Sequence, residues 1–294
     1  MFRHILVPLD GSLRAESALP VAARIARASA GMLILLRAVS AAPEHGQDAG
    51  SWPSLFQTAI QSEQEEAQQY LTKIAASPRL AGLALSVVAP HGPIVAAIQA
   101  AVQSYQVDLL VCCEQPACPG ESCPLGPFAE QISHALDIPV LLLPEQEPLH
   151  HSLAEVSGPI GCLVAFTGLQ PELALIPPAT ALLSALVGRR PGDLHVTPLR
   201  ALQSQRTSER SATLDYPDPR PMASVYKQQV QAGRGAVLLK GARTNGKREE
   251  RKEQERHRVV VLSTPLHRAD NDALREVAAY PRLLVPLSEH LSHA

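Results

Sequence analysis

The stretch ILVPLDGSLRAESALPVAARIARASAGMLILLRAV, Ile5 to Val39, decides the fold. It opens on a short apolar run, His4 to Leu9, that ends at Asp10-Gly11. An apolar run closed by such a turn pair reads as a strand buried on both faces. Ser12 is a good N-cap, and Glu16 falls in the first helical turn, where the helix dipole favours a carboxylate. Leu19, Ala22, Ala23 and Ala26 then recur at helical spacing, and Gly31 supplies a stop. Met32 to Val39 is a second buried strand. Strands that are continuously apolar, joined by a helix, belong to a parallel sheet covered on both faces.

The same alternation continues downstream. A polar helix is expected over Pro53–Ala76, with Glu63, Glu65 and Glu66 on its wet side. Leu83–Ala89 reads as a third strand, and His91-Gly92-Pro93 opens a further helix with Pro in its first turn. Val107–Cys113 is a fourth strand, followed by a Pro/Gly/Cys-rich loop to Pro127. Phe128–Leu136 is helical and Ile138–Leu143 is a fifth strand. Ligands of open α/β sheets bind beyond the carboxyl ends of the strands. Those ends are Asp10-Gly11, Ala38-Val39 and Cys112-Cys113.

The second half repeats the first weakly. LVAFTG (Leu163–Gly168) parallels LVPLDG (Leu6–Gly11) at an offset of 157, which also aligns Pro177 with Pro20 and Gly188 with Gly31. Asp193–Leu199 stands for the second strand and Val259–Ser263 for the fourth. Leu283–Leu287 matches the fifth strand, with Pro281 and Pro286 at an offset of 142 from Pro139 and Pro144. Residues 201 to 221 read as a long Ser/Arg/Pro-rich loop, Val225–Gln231 as a helix and Ala236–Lys240 as a third strand. A repeat this long means two copies of one domain, not a solenoid. The expected boundaries are 1–147 and 158–294, joined by a polar linker around Glu145–Pro159.

At 294 residues, 46% hydrophobic and 18% charged, the chain can bury a sizeable core, and disorder is excluded as its main state. Aromatic residues are only 3%, too few for a base-stacking surface. No apolar run approaches the length of a membrane span. Met-Phe-Arg-His leads straight into the first strand and leaves no room for a signal peptide, so a cytoplasmic location is expected. Residues 1–150 carry 7 basic and 14 acidic side chains, whereas 151–294 carry 19 and 14. The split favours two units with complementary surfaces over a nucleic-acid binder. Five cysteines, an odd number, fit a reduced protein better than a disulfide scaffold.

With these residues in place, Ile5–Val39 strongly resembles the start of a universal stress protein domain. HGPIVAAI (His91–Ile98), VDLLV (Val107–Val111) and AEQISHALDIPVLLL (Ala129–Leu143) resemble its later segments, in the same order. The resemblance implies two doubly wound, five-stranded parallel-sheet α/β domains of Rossmann-like, adenine nucleotide alpha hydrolase-like type, the second more diverged. It further implies pairing through the last strand, and either ATP binding or no nucleotide binding.

ATP-binding members carry Gly-x2-Gly-x9-Gly-Ser/Thr after the fourth strand. Glycines let backbone amides approach phosphate oxygens, and the final hydroxyl residue opens a helix whose N-terminus attracts the anion. Here Cys113, Pro116, Gly126 and Pro127 occupy those four positions. Both prolines remove an N–H donor, and Pro116 adds a ring where close approach is needed. Pro119 and Pro124 stiffen the loop, and Glu114 and Glu121 add negative charge. No Lys or Arg follows Arg79 in the first unit to offset it. Triphosphate binding is therefore expected to be weak or absent.

The nucleoside side is better kept. Pro8 and Asp10 match the family positions facing adenosine, and Ala38 matches the position beside the base. The bland reading of Asp10 is a turn residue bonding the amides of Gly11-Ser12. The candidate, degenerate nucleotide site is thus Pro8, Asp10, Ala38, Cys112, Cys113, Gly126, Pro127 and Phe128. In the second copy Ala165 and Thr167 replace Pro8 and Asp10, and the segment after the fourth strand is shorter, so no nucleotide is expected there.

Cys112, Cys113, Cys118 and Cys123 fall within twelve residues. Thiolates at that density could hold a soft metal or sense oxidation, yet the familiar C-x2-C knuckles are absent, and no metal site is assigned. Cys112 and Cys113 should point to opposite faces of a strand as small buried hydrophobes, leaving Cys118 and Cys123 as the reactive thiols. KREERKEQERHR (Lys247–Arg258) mixes signs and reads as a solvated, ion-paired helix. No base–nucleophile pair or metal cage appears, so catalysis is not expected. The reading is a non-catalytic stress-response protein acting through protein contacts. It needs no cofactor, its two units pair as an intramolecular pseudo-dimer, a homodimer is possible, and neither nucleic acid nor membrane is a partner. The alternatives are an ATP/AMP sensor in the first unit, or a thiol redox or metal module at Cys112–Cys123.

Overall fold

The first apolar run forms β1 (His4–Pro8), buried from Ile5 onward, in a computed structural model of the chain. The structure describes residues 2–39, 53–114, 126–144, 161–166, 175–187, 194–198, 258–264, 274 and 280–286. After β1, Ser12 caps α1 (Leu13–Glu16), its side chain accepting from the N–H of Ala15 at 3.1 Å. The single helix expected here is two: α2 (Leu19–Ser29) follows after a break at Ser17-Ala18. Pro20 is the reason, since its ring cannot continue a preceding turn but suits the start of a new one.

The left-handed residue that ends α2 is Ala30 (φ 49°), not Gly31. Gly31 serves closeness instead. A Cβ there would lie 2.6 Å from the carbonyl oxygen of Arg3, which accepts from Met32 N–H as β2 (Met32–Leu36) joins β1.

Next come α3 (Pro53–Ala75), a 3-10 turn at Pro78–Leu80, β3 (Ala84–Val88), α4 (Ile94–Tyr105), β4 (Leu109–Cys113), α5 (Pro127–Ala135) and β5 (Val140–Leu143). β1 pairs with β2 and β4, β2 with β3, and β4 with β5, all parallel. Alternate strand residues bury on opposite faces. Ile5, Val7, Leu33 and Leu35 join α2 and α3 in one core, while Leu6, Ile34 and Leu36 join α4 and α5 in the other. This is the doubly wound α/β arrangement that the apolar strands required.

The second half supplies β6 (Gly161–Phe166), α6 (Ile176–Val187), β7 (Leu194–Pro198), β8 (Arg258–Thr264) and β9 (Arg282–Pro286). Among the described residues one nine-stranded sheet results, in the order β3-β2-β1-β4-β5-β9-β8-β6-β7. Ladder registers repeat with the sequence. Ile5 faces Leu33 and Leu109, and Cys162 faces Leu194 and Val259 in the same manner. Cys113 faces Leu143 as Ser263 faces Val285. The halves meet at β5 and β9, which are antiparallel, with Val140, Leu141 and Leu142 opposite Leu284, Leu283 and Arg282. α6 packs against α2 and continues the first core across this junction.

No helix among the described residues is long and apolar enough to cross a membrane. The expected linker, Cys118, Cys123, residues 201–221, Val225–Gln231, Ala236–Lys240 and most of Lys247–Arg258 lie outside the described residues.

Candidate functional site

A cleft of about 520 Å³ opens at the carboxyl ends of β1, β2 and β4. Parallel strands direct their last residues and the following turns to one edge, and here the order reverses between β1 and β4. Pro8, Asp10, Ala38, Cys112, Cys113 and Phe128 line it, six of the eight residues expected from sequence. Gly126 and Pro127 do not. Gly126 is the buried N-cap of α5 at φ 77°, and Pro127 is exposed at the helix start, on the outer side shared with Glu130 and His134. Pro127 can still open the helix, but it offers the cleft neither hydroxyl nor N–H.

The Asp10 turn holds together as a unit. One carboxylate oxygen accepts the Ser12 N–H at 2.8 Å, and the other lies 3.8 Å from the Arg14 guanidinium. Partial burial pushes the Asp10 carboxyl up, but the Ser12 hydrogen bonds and the Arg14 charge outweigh it and hold the group below the ordinary carboxylate range. The turn reading of Asp10 is therefore realised, and the same side chain still borders the cleft.

Two guanidinium groups at the cleft escaped the sequence reading, which looked for positive charge only after β4. Arg14 comes from α1, and Arg37 from the end of β2. The Arg37 side chain lies over the Tyr70 ring, 5.0 Å from its centroid, and covers Gly11 at 3.7 Å from where a Cβ would stand. Gly11 is at φ +88°, so both its conformation and its bareness suit this turn. The Tyr70 hydroxyl donates to Glu16 at 2.9 Å, and burial together with that acceptor pushes the phenol up. The guanidinium of Arg37 has no hydrogen-bond acceptor among the described residues. A readable signal existed: a lone arginine closing an otherwise apolar strand at the ligand edge of the sheet.

The two cysteines behave as expected of small buried groups. Cys112 packs into the core under α4 and α5, and Cys113 into the opposite core. Burial pushes Cys112 well up, and pushes Cys113 to about 11 despite its 3.1 Å contact with the Ser17 hydroxyl. Neither is a ready nucleophile or metal ligand at neutral pH.

Past Cys113, the Glu114 N–H donates to Leu143 at 2.8 Å, and the Glu114 carboxylate pairs with Arg282 at the start of β9. Arg282 is fully buried. The second half thus holds the first residue of the β4–α5 segment.

The sequence of this half matches the universal stress protein family over residues 1–144. Residues 1–144 belong to that family. As a whole the chain is similar in fold to a universal stress protein from Archaeoglobus fulgidus DSM 4304, at 15% identity and TM-score 0.63, over 96% of this chain and 98% of that one. It is also similar to a functionally unknown protein from Pseudomonas aeruginosa PAO1, at 14% identity and TM-score 0.53, over 99% and 95% of the two chains. Curated proteins give no match. The universal stress protein domain provides the coarse class, a stress-response protein on a Rossmann-like α/β fold.

Proposed function

We propose that the protein is a cytoplasmic, non-catalytic stress-response protein that acts through protein contacts, with triphosphate binding weak or lost. The carrying observation is the contrast between the two ends of the cleft. Pro8, Asp10 and Ala38 line the cleft, whereas on the β4–α5 side the Glu114 carboxylate is engaged by Arg282 and Pro127 lies outside the lining. By sequence, the segment from Glu114 to Pro127 holds two acidic residues, Glu114 and Glu121, prolines at two of the four motif positions, and no basic residue. The thiol alternative loses support at Cys112 and Cys113, whose burial suppresses the thiolate.

The test is isothermal titration of the nucleotide-stripped chain with Mg-ATP. The expected result is no binding in the micromolar range. Micromolar binding that disappears in Asp10→Ala would overturn the proposal and make the chain an ATP sensor.

One observation favours a second, narrower reading, an AMP sensor. Arg14 and Arg37 place positive charge on the β1–β2 side of the cleft, away from the decayed segment. A nucleotide with one phosphate fits that charge better than a triphosphate does. AMP bound at least tenfold more tightly than adenosine, with the ratio falling toward one in Arg37→Ala, would establish it. Equal or absent binding of both would remove it.

A further inference from the structure

We propose that the cleft at the ends of β1, β2 and β4 is a site for a small organic carboxylate with an apolar body, held at its head by Arg37. The cleft encloses about 520 Å³, the size of a small-molecule site. Its described lining holds two guanidiniums, Arg14 and Arg37, and one carboxylate, Asp10. Ser12 and Arg14 keep Asp10 ionised. The sum is one net positive charge, which a single carboxylate neutralises. Asp10 and Arg14 already face each other at 3.8 Å. Arg37 meets a ring and a glycine but no acceptor among the described residues.

The geometry of Arg37 selects the head group. A Cβ on Gly11 would stand 3.7 Å from Cζ, Nη1 and Nη2 alike. A point equally far from all three lies over the guanidinium plane, not at its edge. Gly11 therefore covers a face of the group, and the Tyr70 ring centroid lies 5.0 Å from its carbon. The N–H edge is left for hydrogen bonding. Its nitrogens form a planar fork that matches the two oxygens of a carboxylate. Held against ring and backbone, the fork loses little freedom on binding.

The rest of the lining selects the body. Leu9, Ala38, Ile94 and Phe128 are apolar, and the Cys112 and Cys113 thiols are uncharged at neutral pH. Both Asp10 oxygens are engaged. Little is left among the described residues to receive the hydroxyls of a sugar, and hydroxyls desolvated without partners cost affinity. An aromatic or aliphatic body gives up no hydrogen bond by lying there and gains from burial. None of this requires the AMP reading, which puts a sugar and a more highly charged head in the same cleft.

The experiment titrates the full chain with three ligands that share one ring system: 1-naphthoate, neutral 1-naphthamide and cationic 1-naphthylmethylamine. Naphthoate should bind roughly tenfold more tightly than the amide, the worth of one charge-assisted hydrogen bond, and the amine should bind least. That order is read on the native chain and needs no variant to fold. Arg37→Gln should then bring the ratio of acid to amide close to one, through loss of naphthoate affinity. Equal binding of acid and amide by the native chain, binding of none of the three, or a ratio that survives Arg37→Gln would each overturn the proposal. AMP is titrated beside them. AMP bound without a preference for naphthoate over the amide would overturn the carboxylate site and leave the nucleotide reading standing. The naphthoate preference without AMP binding would do the reverse.

Discussion

Ala30 and Gly31 are neighbours at the end of α2 with opposite requirements. Ala30 adopts φ 49°, where a Cβ is penalised and glycine is not, so Ala30→Gly should raise stability by about 0.5–1 kcal/mol. Gly31 has an allowed backbone but no space, since its Cβ would stand 2.6 Å from a carbonyl oxygen. Backbone cannot rotate away as a side chain can, so Gly31→Ala should cost about 1–3 kcal/mol. Urea midpoints of the two variants check both signs, and the reverse order would refute the assignment. From the sequence alone, Gly31 reads as an ordinary helix stop, because nothing local reveals that Arg3 lies against it. Cys113 gives a second residue-scale test. A thiol pushed up to about 11 carries about a hundredfold less thiolate at neutral pH than a free cysteine. Iodoacetamide at pH 7.5, read by peptide mass spectrometry, should label Cys113 at least that much more slowly than N-acetylcysteine. Labelling at the free rate would restore the redox reading of the β4 end.

The turn from β1 into α1 shows what an element adds to its residues. Asp10 reads from sequence either as a turn aspartate or as a ligand-facing one, and the fold makes it both, because the β1–α1 turn is itself the wall of the cleft. Its carboxyl is held below the ordinary range in the folded chain, by Ser12 and Arg14 acting against partial burial. The stabilisation is therefore complete above the unfolded value near ~3.9 and disappears as pH falls through the lower folded value. In Asp10→Asn that dependence should vanish. The difference in thermal midpoint between the two proteins should be constant from pH 7 to 5 and shrink between roughly pH 4 and 2. A difference that grows with acid would contradict the sign. The strands were legible because they are unbroken apolar runs, and the site was legible because parallel strands deliver their ends to one edge. Arg37 was legible as an arginine at that edge, but its place over Tyr70 and Gly11 was not, since that depends on α3 packing beside β2, which no local pattern encodes.

Across the whole molecule the same limit applies to Arg282. In the sequence it is one more arginine before an apolar run, and only the meeting of β5 with β9 buries it against Glu114. The offset of 142, by contrast, was visible in paired prolines, and it is the relation on which the junction is built. That junction has a mechanical consequence. Leu141 and Leu283 are fully buried opposite each other, and both belong to the core that runs from α2 to α6 over β5 and β9. A continuous sheet with a continuous core on one face gives neither half an unfolding transition of its own. One cooperative thermal transition is expected, with calorimetric and van't Hoff enthalpies in agreement. Leu141→Ala and Leu283→Ala should each cost about 2–5 kcal/mol. Combined, they should cost less than their sum, because the second truncation enlarges a cavity whose wall the first has already removed. Two resolved transitions, with Leu283→Ala moving only one of them, would mean that the halves unfold independently despite sharing the sheet.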